Sequence, residues 1–127
     1  MNVEITEDTA APTVAGLSGI VGRIRDFAAP STTPTFAPPF AVLLRARRLN
    51  SPLRAAILVV KPALPTDVPA DVAQYARSHD TFPHERTTDQ FLDEAQWESY
   101  RQLSLFCGSK VLSTAAWQAS HAHIDNT

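Results

Sequence analysis

Four histidines and a run of carboxylates are the groups in this chain best suited to chemistry. His79, His84 and Glu85 lie close together, and His121 and His123 form a His-x-His pair. Three imidazoles and a carboxylate could bind a divalent metal ion. The spacing argues for something plainer. His84 and Glu85 are adjacent and precede a helix, where orphan N–H groups need acceptors, so bracing the helix start is the simpler role. The His-x-His pair sits near the chain end, where order is least expected. No metal or other cofactor is expected. Six carboxylates, Asp80, Glu85, Asp89, Asp93, Glu94 and Glu98, face only Arg86 before Arg101 is reached. A carboxylate pair can run glycoside hydrolysis, but acids gathered at the positive end of a helix dipole need no catalytic explanation. Ser18 has Gly16 two residues before it and Ile20, not glycine, two residues after. It therefore fails the Gly-x-Ser-x-Gly test of a nucleophile elbow. Cys107 falls on an apolar helix face and reads as an inert core thiol.

The 127 residues suit one domain, with 44% hydrophobic and 19% charged side chains and a net charge of −2. That balance gives no nucleic-acid signature; the cluster Arg45, Arg47, Arg48, Arg54 reads as a solvated strand face or turn. One cysteine cannot staple its own chain, which makes a reducing, cytoplasmic setting the expectation. No apolar run approaches the ~18 residues of a spanning helix. Any membrane association would be peripheral and through a partner. Ten prolines are present, five of them before Phe40, together with three of the four glycines.

Residues 1–39 are accordingly expected to be a flexible, proline-rich segment, with 40–118 the folded α/β part and 119–127 a fraying tail. Within the first segment, 1–12 reads as a loose tail. Val14, Leu17, Ile20, Val21 and Ile24 have helical spacing over 13–27, opposed by Gly16, Gly19 and Gly22. Ala28–Pro39 has linker composition.

Phe40–Leu44 and Ala55–Val60 are apolar runs separated by Asn50-Ser51-Pro52, which is turn chemistry. They predict two antiparallel strands, the second buried on both faces and ended by Pro62. A helix is expected from Asp67 to about Ser78, with Pro69 in its first turn. A second, longer helix is expected after Phe82-Pro83 holds the chain extended. Thr87 and Gln90 have capping-box spacing. At 100° per residue Phe91, Leu92, Ala95, Ser99, Leu103, Phe106 and Cys107 form its core half. Gln90, Glu94, Trp97, Glu98 and Arg101 form the other half, with Tyr100 on the border. Glu98 and Arg101 can pair. Gly108 would interrupt or cap this helix, with Val111–Trp117 adding a turn or two. The fold expected is therefore an α/β (α+β) fragment, a short two-stranded sheet followed by two to three helices.

Residues 57–107 resemble the far C-terminal portion of bacterial patatin-like phospholipases. The resemblance rests on the order and spacing of Ile57-Leu-Val-Val-Lys61-Pro62-Ala-Leu64, Asp71-Val72, Tyr75-Ala76, Phe82-Pro83-His84-Glu85, Thr88-Asp89-Gln90-Phe91 and Glu94-Ala-Gln-Trp97-Glu98-Ser-Tyr100-Arg101. It implies an α/β parent that hydrolyses lipid acyl esters with a Ser–Asp dyad. The serine of that family lies in Gly-x-Ser-x-Gly and the aspartate in Asp-Gly-Gly or Asp-Gly-Ala. Neither motif occurs here, so no catalytic residue carries over. Arg86-Thr87 also departs from the Ser-Thr usual after His-Glu in that group. The expectation is a non-catalytic segment that packs on another chain supplying the patatin-like core. The alternative is a small interaction domain using the Trp97 face, and self-association is compatible with either.

Overall fold

The computed structural model describes residues 2–27, 39–86, 88 and 91–127. Three strands and three helices follow one another along the chain: β1 (Val3–Glu7), β2 (Ala41–Arg48), β3 (Arg54–Val60), α1 (Ala70–Ser78), α2 (Glu94–Val111) and α3 (Thr114–Asp125). The class is α+β, as the residue patterns imply. The sheet, however, has three antiparallel strands in the order β1-β2-β3. The third comes from the stretch read as a loose tail. Val3 pairs with Arg48 and Glu7 with Leu44. β1 is five residues long and alternates valine and isoleucine with glutamate and threonine. So short a strand is stable only as an addition to an existing sheet.

β2 and β3 are the expected hairpin, with Ala41 opposite Val60 and Arg47 opposite Arg54. Asn50 takes a left-handed φ of 62° at the turn, a conformation asparagine tolerates better than most residues. The expectation that β3 is buried on both faces is wrong. It is an edge strand, and Ile57, Val59 and Val60 are each about two-fifths exposed.

Residues 11–27 form turns and two short 3₁₀ segments, Ala11–Thr13 and Ile24–Phe27, in place of the helix suggested by apolar spacing. The reason is local. Gly16 takes φ of 89° and Gly19 of 81°, which breaks any right-handed helix. Gly16 also lets the chain pass close to α3, where an added Cβ would lie 3.0 Å from that of Ala119. Leu17 and Val21 are buried all the same, so the apolar positions serve the core without helical periodicity.

The linker assigned to Ala28–Pro39 falls, up to Pro38, outside the described residues. α2 begins at Glu94, later than expected. Asp93 is its N-cap, accepting from the Gln96 N–H at 2.7 Å. Thr87 and Gln90, which carry the capping-box reading, and the acidic Asp89 lie outside the described residues. Phe91 and Leu92 precede the helix and are exposed, so neither belongs to its core face. That face is Gln96, Ser99, Leu103, Cys107 and Val111. Gly108 does not stop the helix, which runs through it to Val111. α1 starts at Ala70 rather than Asp67, with Pro69 in the N-cap position. Residues 119–125, expected to fray, instead complete α3, whose Ser113 N-cap accepts from the Ala116 N–H.

The core lies on one face of the sheet. Ala41 and Leu43 of β2 meet Leu17, Val21, Phe40, Leu103, Cys107, Val111 and Ala116 there. α1 packs on α2 through Val72, which is fully buried.

Candidate interaction surfaces

The loop between α1 and α2 brings a few of the residues that carry the family resemblance, Phe82 and Glu85, against Tyr75 of α1 and Tyr100 of α2. Tyr75 stacks on His79 with ring centres 3.9 Å apart and meets the edge of Phe82 at 5.0 Å. Phe82 in turn lies 4.8 Å from Tyr100 of α2. The Phe82–Pro83 peptide is cis. The Tyr100 hydroxyl donates to Glu85. Burial, then the adjacent Glu85 carboxylate, pushes the Tyr100 phenol well above its ordinary 10.0. Burial raises Tyr75 too, with help from the charges of Asp93 and Glu85. This is an aromatic clamp that fixes the loop against α2. Tyr100→Phe should cost about 1 kcal/mol in urea unfolding, the ordinary worth of such a bond. The native phenol keeps its proton at a pH where the unfolded one has lost it. Stability should therefore fall as pH rises past about 10, and this arm should weaken in Tyr100→Phe.

The remaining residues of the resemblance do not converge. Lys61 follows β3 and holds its ammonium 6.0 Å from the Phe27 ring centre. Pro62 follows directly, Pro83 is half-buried beside Phe82, and His84 is exposed. Partial desolvation, then the charge of Lys61, lowers the His84 pKa below its ordinary 6.5. Glu94 is an exposed first-turn acid. Glu98 takes two bonds from Arg101, at 2.7 and 2.8 Å, and one from Gln102 at 2.9 Å. The Arg101 bond, followed by that from Gln102, lowers the Glu98 carboxyl to about 2. Asp89 and Gln90 are not among the described residues.

The histidines are dispersed. His121 lies against Trp117 and bonds its carbonyl at 3.0 Å, while His123 turns inward. Among the described residues no group of three or more His, Cys, Asp or Glu side chains is placed to hold a metal ion. Cys107 is fully buried with its sulfur 3.8 Å from the Ala63 carbonyl, and burial raises its thiol pKa. Ser18 lies in the turn after Gly16, its N–H bonded to the Val14 carbonyl.

Sequence reasoning missed the most ordered polar cluster. Asp8, at the end of β1, accepts from Arg45 Nε at 2.7 Å and bonds His123 Nε2 at 2.8 Å through one oxygen. Its other oxygen accepts from the N–H groups of Ala10 and Ala11 at 3.1 and 3.0 Å. Arg45 also donates to the His123 carbonyl and to Thr127. Burial alone would raise the Asp8 pKa, but the bonds from Arg45, His123 and Ala11 outweigh it and hold the carboxyl below 3.8. One signal was available. Arg45 shares the core face of β2 with Ala41 and Leu43 by strand alternation, and an inward arginine needs a buried carboxylate.

Two apolar surfaces are left uncovered by the described residues. The first is the outer face of the sheet: Val3 and Ile5 of β1, Leu44 and Ala46 of β2, Ile57 and Val59 of β3. Val3, Ile5, Ile57 and Val59 are 39–55% exposed. Ile24 and Phe27 extend this face and line a shallow groove with Val42, Leu44, Val59 and Lys61. They are held there by Glu7, which accepts from the Ile24 N–H at 2.6 Å and pairs with Arg23 at 3.1 Å. The second surface is a stripe along α2, Trp97 and Leu105 with Leu112 at the C-cap, all more than 60% exposed. Trp97 points away from the core, as the helical spacing indicates.

No protein-family model, no curated protein and no solved structure matches this chain. Among the described residues no helix is long and apolar enough to cross a membrane.

Proposed function

We propose that this chain is a non-catalytic docking module whose outer sheet face packs on another protein chain. The observation that carries this reading is the composition of that face. An antiparallel sheet with one face in water normally alternates apolar inward and polar outward. Here valine, isoleucine, leucine and alanine fill the outward positions of all three strands except Glu7 and Arg48, each at a strand end, and an uncovered apolar area of this kind marks an interaction site. Each of the larger side chains would contribute on the order of 1 kcal/mol on burial. Arg48 and Lys61 lie at the margins of the face, which favours a partner surface that is apolar with an acidic rim.

The resemblance of residues 57–107 to the end of patatin-like phospholipases supplies the candidate partner, a chain carrying the Gly-x-Ser-x-Gly and Asp-Gly-Gly core. β3 opens that region, so the proposed docking face and the resemblance share Ile57 and Val59. On this reading the module completes or positions a lipid acyl hydrolase in the cytoplasm and contributes no reacting group. The α2 stripe with Trp97 supports a second reading, a scaffold domain that binds by a helix face.

The test is binding of the purified chain to a co-expressed core protein. Ile5→Glu with Val59→Glu should weaken binding at least tenfold, about 1.4 kcal/mol, without shifting the thermal melt. Trp97→Ala should leave affinity unchanged. Full affinity in the double variant, with loss in Trp97→Ala, would replace the sheet face by the helix stripe.

A further inference from the structure

We infer that two copies of this chain pair through the free edge of β3, forming one six-stranded sheet about a two-fold axis at Ile57. This edge is a different surface from the outer face, so the inference stands independently of the docking proposal.

The main-chain geometry fixes which groups are free. The Arg48 N–H bonds the Leu53 carbonyl at 3.3 Å, and the Lys61 N–H bonds the Phe40 carbonyl at 2.8 Å. Both continue the β2–β3 register. Odd-numbered residues of β3 therefore turn their peptide groups toward β2, because antiparallel ladders alternate. Arg54, Ala56, Leu58 and Val60 turn theirs to the edge that no other described residue occupies. None of the usual guards against strand addition lies between them: no proline, and no charge from Ala55 to Val60.

The same edge is self-complementary, which a two-fold contact requires. Pro52 and Pro62 stand five residues either side of Ile57. Both share the parity of the outward residues and have no N–H to donate. Antiparallel pairing about Ile57 matches Arg54 with Val60, Ala56 with Leu58, and proline with proline. All four outward residues then donate and accept. A shift of two residues in either direction would set a proline against Val60 or Arg54 and leave that residue's carbonyl without a donor. Side chains also fit: Ala55 faces Val59 and Ala56 faces Leu58, small against large. The flanking cations do not collide, since Arg54 and Lys61 project on opposite faces. A seven-residue edge is smaller than the ~800 Å² per partner of a standard interface. The dimer should accordingly be reversible, with a dissociation constant in the micromolar range. It would present two outer faces side by side.

Sedimentation of the full chain from about 5 to about 500 µM should show reversible monomer–dimer exchange. In the dimer the two Ile57 Cα atoms form a non-hydrogen-bonded pair about 4.5 Å apart, within disulfide range. With oxidised glutathione as the oxidant, Ile57→Cys should therefore form a disulfide-linked dimer, whereas Val59→Cys, off the axis, should not. Ala56→Pro removes only an outward N–H; it should abolish the dimer and keep the cooperative melt. A chain that stays monomeric throughout, with no selective crosslink at residue 57, overturns the proposal. So does a dimer that survives Ala56→Pro while Ile57→Cys fails to crosslink, because its contact lies elsewhere. Should Ala56→Pro not fold, the crosslink contrast alone decides.

Discussion

Asp8→Ala is expected to destabilise the chain by about 3 kcal/mol, the usual cost of stripping one partner from a buried charged cluster. Small domains have about 5–15 kcal/mol in all, so this is a large fraction. The size follows from what the carboxylate holds. It ties the end of β1 to Arg45 of β2 and His123 of α3. It also satisfies two N–H groups at the turn that follows. Its side chain is 7% exposed and that of His123 10%, so water cannot replace the lost partner. Asp8→Asn should recover only part of the loss, since an amide keeps the shape without the charge. The pH dependence has a definite sign. The folded carboxyl sits below the ordinary 3.8, so the folded state binds this proton less readily than the unfolded one. Its contribution is complete above the unfolded value and is lost as pH falls through the folded one. Urea midpoints measured from pH 6 to pH 2 should fall more steeply below about 4 in the wild type than in Asp8→Asn.

Phe40→Ala should cost about 3–5 kcal/mol, the range for truncating a fully buried aromatic side chain. Phe40 is 2% exposed and lies where three parts of the chain meet. Its N–H bonds the Ile20 carbonyl at 3.1 Å, and its own carbonyl accepts from Lys61 at 2.8 Å. The ring belongs to the core cluster with Leu43, Leu103 and Cys107. The cavity would open at the junction of sheet, N-terminal turns and helices, where no single element can move in to fill it. Phe91→Ala is the matched control. Helical spacing puts Phe91 on the core side of the long helix, yet it is 93% exposed and precedes Asp93, the cap. Its truncation should change the urea midpoint by less than about 0.5 kcal/mol.

The contrast between these two phenylalanines shows what the sequence could and could not convey. Elements with a clear local signature were legible: the β2–β3 hairpin around Asn50, the helix ending at Ser78, and the body of α2 with Leu103 and Cys107 inward. The outward Trp97 and the Glu98–Arg101 pair followed from 100° spacing alone. What failed depended on partners distant in sequence. Val3–Glu7 has no stability of its own and becomes a strand only because β2 offers an edge. β3 is apolar from Ala55 to Val60, which fits a doubly buried strand and an exposed edge equally well. The Asp8–His123 contact joins residues at opposite ends of the chain, and no local pattern encodes it. Residues 119–125 are helical because His123 and the following Thr127 are anchored by Arg45, not because their own propensity is high.

The stitched ends also bear on the docking proposal. β1 supplies Val3 and Ile5 to the outer face, and β1 is fastened through Asp8. Loss of that clamp should loosen half of the docking surface while the α2 stripe keeps its place.

Side-chain footprinting of the chain in the presence of the proposed core protein, with oxidative or carbene labelling, tests the account most directly. The docking reading requires Val3, Ile5, Ile57 and Val59 to lose reactivity on binding while Trp97 and Trp117 keep theirs. Protection of Trp97 with the sheet face still fully labelled would contradict it.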